Sequence, residues 1–421
     1  MNYYRFPEKP VTKIWAFLIM LALQAVARST MFTSTLIGFG KCQVLMLALV
    51  AVSGIAFLLY NRKQLRQILT DRRMLALGVA AVLIFVPMLV KRDWQALYVT
   101  IFLGCAFAVF LTYFTTVEEL GKYYVVLMTA LGAASLVGTF VLKPLALSGV
   151  LPAHYFLSHG GWTMLNFGVT FVSVMNENMQ ETFRAFGIFR EPGLFQVFLF
   201  IAIELNNDWV DWKKPWQLWA VDAILFATML VTFATGGVLA LGVYLVFLFF
   251  DKGLYRNKTM RMGAAALVIL GLAALTAALA QGGTWATELI GMMEKFTNRT
   301  DSYTARVDSL AANGRMFLAH PIFGGKLSQV MYSTANNTTT SPIIFAGFGL
   351  ITGAVHVLSW AALSWKKERN LLLNLILLGI LFVPFNTQNV IYDMFFWMFP
   401  VMALTQRGLP ELEKIRQGKG A

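Results

Sequence analysis

Runs such as VLMLALVAVSGIAFLLY (44–60) and LLLNLILLGILFVPF (371–385) recur along the whole chain, and nothing else in it limits the fold so strongly. In lipid a backbone N–H or C=O has no water to bond, so an isolated apolar run crosses a bilayer only as a helix. Near-spanning segments fall at 14–36, 38–60, 74–90, 95–117, 123–142, 193–206, 218–234, 237–250, 263–281, 342–364, 371–386 and 394–406, twelve in all. Of the 421 residues, 58% are hydrophobic and 13% charged, where soluble domains carry about a quarter charged. The expected fold is an all-α, polytopic integral membrane protein. No small-residue cleavage site follows the first run, so a removed signal peptide is not expected.

Lys and Arg set the expected orientation. The loop 61–73 carries five, 251–262 four, 365–370 three, and the tail from Gln406 four. With twelve spans all four segments lie on the side of the amino terminus. Short basic loops stay in the cytoplasm, which puts both termini there. The same rule explains the net charge of +13 without nucleic acid as a partner.

Five sections follow: five spans in 1–142, a large outer loop at 143–192, four spans in 193–281, a second large outer loop at 282–341, and three spans with a tail in 342–421. Both loops are far longer than an ordinary helix–helix connection, so function is expected in them. Short helices are expected there. One starts at Asp301 and stops before Pro321, with Tyr303, Val307 and Leu310 as an apolar stripe facing the membrane surface or the first loop. Arg306 and Arg315 lie nine residues apart, which points them in roughly opposite directions on that helix.

The first loop ends in ETFRAFGIFREPGLF (181–195). Pro192 suits the first turn of a helix. Glu191 then sits at its positive end, either as helix-end electrostatics or as a general base beside cationic groups. Arginine suits phosphate, because its planar fork donates paired hydrogen bonds and stays charged. Cys42 and Cys105 lie in apolar segments and read as small core residues. The four histidines, His154, His159, His320 and His356, are too scattered to suggest zinc, and no Walker loop or HExxH is present. Few ionisable residues fall within spans, notably Arg28, Glu204, Asp222 and Asp393, which disfavours an ion pump.

Four segments resemble the O-antigen polymerase and ligase superfamily, integral-membrane inverting glycosyltransferases of the Wzy type. They are Arg184-Ala-Phe-Gly187 with Glu191-Pro192-Gly193, then Thr235-Gly236-Gly237-Val238-Leu239-Ala240, then Ser302-Tyr-Thr-Ala-Arg306 running to His320-Pro321-Ile-Phe-Gly324, and last Ala346-Gly347-Phe348-Gly349-Leu350. Ligases of the superfamily carry a histidine before the last segment and often an acid in it. Here the chain has Asn336-Asn337 and Gly347, which is more similar to polymerases.

The resemblance implies a donor glycan on a polyprenyl pyrophosphate and a lipid-linked repeat unit as acceptor. It implies a periplasmic active site in the bacterial inner membrane, and no metal or cofactor. Arg184 and Arg306 match its pyrophosphate-binding arginines. Glu191, or a residue near Asn337, would orient or deprotonate the acceptor hydroxyl. Arg190, Arg315, His320, Asn337 and Tyr303 are the expected substrate contacts. A groove between spans would hold the polyprenyl tail among membrane lipid, and a chain-length regulator protein is an expected partner. A ligase of the same superfamily, or a transporter of the lipid-linked sugar, are the alternative readings.

Overall fold

The computed structural model describes residues 38–60, 70–158, 161–176, 179–297, 301–334 and 337–407, with isolated positions before 38 and between 61 and 70. The expected span at 14–36 and the tail beyond Arg407 lie almost wholly outside the described residues. The chain is mostly helical. Each expected span from residue 38 onward is a helix: Phe39–Tyr60, Arg72–Lys91, Ala96–Leu111, Val117–Val137, Pro192–Asp208, Pro215–Val231, Thr235–Asp251, Lys258–Gln281, Ser341–Ser364, Leu371–Phe385 and Met394–Arg407. Among the described residues three helical stretches suffice, by length and composition, to cross a membrane: Arg73–Lys91, Val117–Leu147 and Ser341–Ser364, the last of them broken at Gly349. Several shorter apolar helices pack around them.

Local chemistry sets the ends. Asp71 accepts the Arg73 N–H, Thr116 the Glu119 N–H and Asn370 the Leu373 N–H, each capping a helix start. Pro192 and Pro215 open their helices at the first turn. Helix 192–208 is the centre of the bundle, with every residue from Pro192 to Asn207 buried. Small residues let helices approach: Gly121 of helix 117–137 meets Leu205 of helix 192–208, and in other helix pairs Gly132 meets Thr228 and Gly104 meets Met394 and Trp397. Cys105 is buried in this core, as expected.

Among the described residues, the connections that follow helices 192–208, 235–251 and 341–364, which share an expected side, meet at one end. There Asp208 pairs with Lys366 at 2.6 Å and Arg369 at 3.1 Å, and Arg369 pairs with Asp251 at 2.7 Å. Trp209 donates to the Leu363 carbonyl, and Gln406 bonds Val117 and Thr115.

The first large connection departs from expectation. Instead of short helices it holds a four-stranded antiparallel sheet in the order β1-β2-β3-β4: Tyr155–Leu157, Thr163–Asn166, Phe171–Met175 and Ala185–Gly187. Gly161 and Gly168, both at positive φ, turn the chain beside β2. The loop also starts later than 143, because helix 117–137 continues through a π-turn at Gly138–Leu142 and on to Leu147. Gly138 takes Thr170 and Val172 of the sheet against it. Lys143 is no loop charge. It is buried and donates to the Ser173 and Thr182 carbonyls at 2.8 and 2.6 Å, clamping the sheet to the helix.

The second large connection is helical, as expected: Gly283–Thr297, Asp301–Ala319 and Leu327–Met331. Helix 301–319 packs on the 341–364 segment, with the Phe317 ring 5.7 Å from that of Phe345, while Ser309 and Asn313 bond Thr334, Asn337 and Thr339 of the connection between them. Val307 and Leu310 face outward, 45% and 56% exposed, so this stripe does not lie against the first loop.

The 341–364 stretch is not one straight span. A straight helix would separate residues 341 and 356 by about 22 Å. The Ser341 hydroxyl and His356 Nε2 lie 3.3 Å apart, and the Phe345 ring covers Gly353. The chain doubles back at Gly349, whose φ of 83° and ψ of −177° leave the helical region. At this turn two of the singled-out glycine segments cross backbone to backbone. Gly325 N–H donates to the Ala346 carbonyl at 2.7 Å and Leu350 N–H to Pro321 at 2.8 Å. Lys91 donates to the Gly325 and Gly347 carbonyls over the crossing.

Candidate functional site

The helices differ in length, and the difference makes a recess. Gly104 lies eight residues, or about 12 Å, below the sheet-end start of helix 96–111, yet it touches Met394, the first residue of the last helix. The loop 386–393, between helices 371–385 and 394–407, therefore sits well inside the bundle. Polar backbone at such depth is tolerated only where protein or a wet cavity surrounds it.

Three helix starts meet this loop. Gly193, in the first turn of helix 192–208, lies beneath the Gln388 side chain; a Cβ there would overlap its carboxamide. Gly236, in the first turn of helix 235–251, lies beneath Thr387 in the same way. Thr340, just before the 341–348 segment, donates to the Gln388 carbonyl at 2.6 Å and accepts the Val390 N–H at 2.9 Å. Gln196 ties the parts together, donating to Thr387 Oγ1 at 3.0 Å and accepting the Gly237 N–H. The glycines singled out in the sequence are thus the places where a loop from the far end of the chain rests on helix starts.

Arg306 joins them from helix 301–319. Its Nε donates to the Thr387 carbonyl at 3.4 Å. Burial pushes its guanidinium below the ordinary pKa, and the nearby Glu191 carboxylate pushes it back up. Glu191 stands at the start of helix 192–208 with no side-chain cap bond, 47% exposed and 3.8 Å from Arg190 Nε. Arg190 and Glu191 of the first large connection and Arg306 of the second are therefore gathered at one place. Helix starts carry partial positive charge, so three of them with an arginine favour an anion. Among the described residues no cluster of His, Cys, Asp and Glu could hold a metal ion.

The other expected site residues are engaged differently; of these Asn337 borders the loop, its carbonyl accepting from Asn389 at 3.2 Å. The Arg184 guanidinium bonds Glu288 with both Nε and a terminal nitrogen at 2.7 Å, beneath the Trp162 ring. It ties the sheet to helix 283–297 because a buried carboxylate there needs a cation. Asn337 is buried, and its carboxamide pairs with Asn313 in both directions and donates to Val330. Those bonds occupy the groups an acceptor hydroxyl would need. Arg315 is exposed where Arg306 is half-buried, as helix geometry predicts. His320 is exposed about 21 Å further along the helix from Arg306. The Tyr303 side chain lies outside the described residues.

Gln196, Thr340, Thr387 and Gln388 were not anticipated. The signal was the polar run Asn386-Thr-Gln-Asn389 between two apolar helices, more polar than a turn requires.

No protein family, curated protein or solved structure matches the chain.

A groove of about 380 Å³ runs down the bundle between helices 72–91, 96–111, 341–364 and 394–407. Its walls are apolar, among them Val79, Leu83, Ile101, Val355 and Leu404, and Ile344 and Phe348 line it too. Those two residues belong to the doubled-back segment that begins at the recess.

Proposed function

We propose that this protein is an inverting polysaccharide polymerase that moves a glycan from a polyprenyl pyrophosphate to a lipid-linked acceptor. The observation that carries the reading is the recess: three helix starts and Arg306 around one point below the outer ends of the longer helices. A pyrophosphate on a membrane lipid is an anion presented at that depth. The apolar groove beside the doubled-back segment suits its tail. In this reading the chain crosses the bacterial inner membrane twelve times, the Asp208–Arg369 end is cytoplasmic, and the sheet end is periplasmic.

The step is a single displacement. The acceptor oxygen attacks the anomeric carbon as the bond to pyrophosphate breaks. The acceptor proton goes to Glu191 or, through it, to water. Arg306 and the helix starts take up the charge that develops on the leaving group. Glu191, beside Arg190 and near Arg306, orients the acceptor hydroxyl by accepting its hydrogen bond.

The test uses purified protein in nanodiscs with a lipid-pyrophosphate-linked repeat unit and excess EDTA, read on a gel of glycan length. A ladder supports the proposal. One transfer to a foreign acceptor without a ladder means a ligase, and lipid scrambling without new glycosidic bonds means a transporter. In the same assay Gly193→Val is expected to lose activity about a hundredfold, because moving Gln388 and Thr387 by an ångström misplaces the site. Protein amount and melting temperature should stay near wild type; unchanged activity would mean the loop does not rest on Gly193.

A further inference from the structure

Gln388 stands out from its surroundings. Its backbone is held, with its carbonyl accepting from Thr340 and its neighbour Val390 bonded to the same hydroxyl. The residues around it are engaged: Thr387 with Gln196 and Arg306, and Asn389 with the Asn337 carbonyl. Its carboxamide lies over Gly193, two residues from Glu191, in a position that is neither buried nor fully exposed. Among the described residues no hydrogen bond occupies that side chain. A carboxamide offers two donors and an acceptor, which matches a sugar hydroxyl that both gives and takes a hydrogen bond. A side chain kept only for packing would need neither.

We propose that Gln388 reads the sugar of the donor, bonding hydroxyl or acetamido groups of the residue attached to pyrophosphate while Arg306 and the helix starts hold the phosphates. This rests on the function proposed above. It makes the last inter-helix loop a specificity element, although that loop lies outside both large connections.

Binding separates the two ideas. The full chain in nanodiscs is titrated with two probes: bare polyprenyl pyrophosphate, and the lipid-linked oligosaccharide isolated from the host membrane. Gln388→Ala is expected to weaken binding of the sugar-bearing probe about three- to tenfold, the worth of one or two neutral hydrogen bonds, with the bare probe unchanged. Gln388→Asn should recover part of the loss. Arg306→Ala should weaken both probes alike. An equal loss of both probes in Gln388→Ala, or no loss of either, overturns the sugar-reading role while leaving the pyrophosphate site standing. Binding of both probes that Arg306→Ala does not alter, or binding of neither by the wild type, removes the pyrophosphate reading and this inference with it.

Discussion

Arg306→Ala is expected to lower polymerising activity by about a hundred- to a thousandfold, the loss seen when a charge-stabilising group is removed from a dry site. The arginine is half-buried, bonded to the Thr387 carbonyl and electrostatically coupled to Glu191. Without it, Glu191 remains beside an incoming pyrophosphate with only Arg190 and the helix starts to offset the repulsion. Arg306→Lys keeps the charge but not the paired donors, so it should recover only part of the activity. Arg184→Ala provides the contrast. Its guanidinium is held by Glu288, so the substitution should act by loosening the sheet from helix 283–297. The expected result is a lowered melting temperature with less than about a tenfold loss of activity per folded protein, the scale of one weakened hydrogen-bonded contact. Product yields per folded protein, compared across the three variants, check this order. If Arg184→Ala is the more severe per folded molecule, the pyrophosphate does not sit at Arg306.

The second large effect concerns the turn at Gly349. Its φ of 83° and ψ of −177° belong to a region open essentially to glycine. A Cβ there would also strike the Ile322 carbonyl. Gly349→Ala is therefore expected to cost about 3 kcal/mol or more, from backbone strain and a collision that no side-chain rotation relieves. Thermal unfolding in detergent should show a clear fall. Gly379→Ala, where nothing lies within 4 Å of the new Cβ, should be close to wild type. A direct check pairs Phe345→Cys with Gly353→Cys. On a straight helix these positions lie about 12 Å apart, too far for a disulfide. Folded back, with the Phe345 ring over Gly353, they should cross-link under mild oxidation. No cross-link, together with a stable Gly349→Ala, would mean that the segment runs straight.

The helices were legible because hydropathy is local. Any run such as 371–385 must satisfy its own backbone in lipid, and neighbours in sequence decide that. Asp71, Thr116, Asn370 and the prolines at 192 and 215 mark starts by equally local bonds. The sheet was harder to see. Its strands run three to five residues, the apolar content of 163–175 does not alternate cleanly, and both faces are largely buried. Lys143 looked like a loop charge because nothing near it in sequence tells that the Ser173 and Thr182 carbonyls will meet it.

The sequence by itself determined where the apolar helices from residue 38 onward lie, and that Glu191 and Arg306 carry charge into two long connections. Only the tertiary structure decided which polar groups meet. Arg184 goes to Glu288, Asn337 to Asn313, and Gln388 to the helix start at Gly193, a contact between residues almost two hundred positions apart. Periodicity carries no information about such pairs. They are set by how helices of unequal length pack, and by glycines whose missing side chains let a distant loop come down.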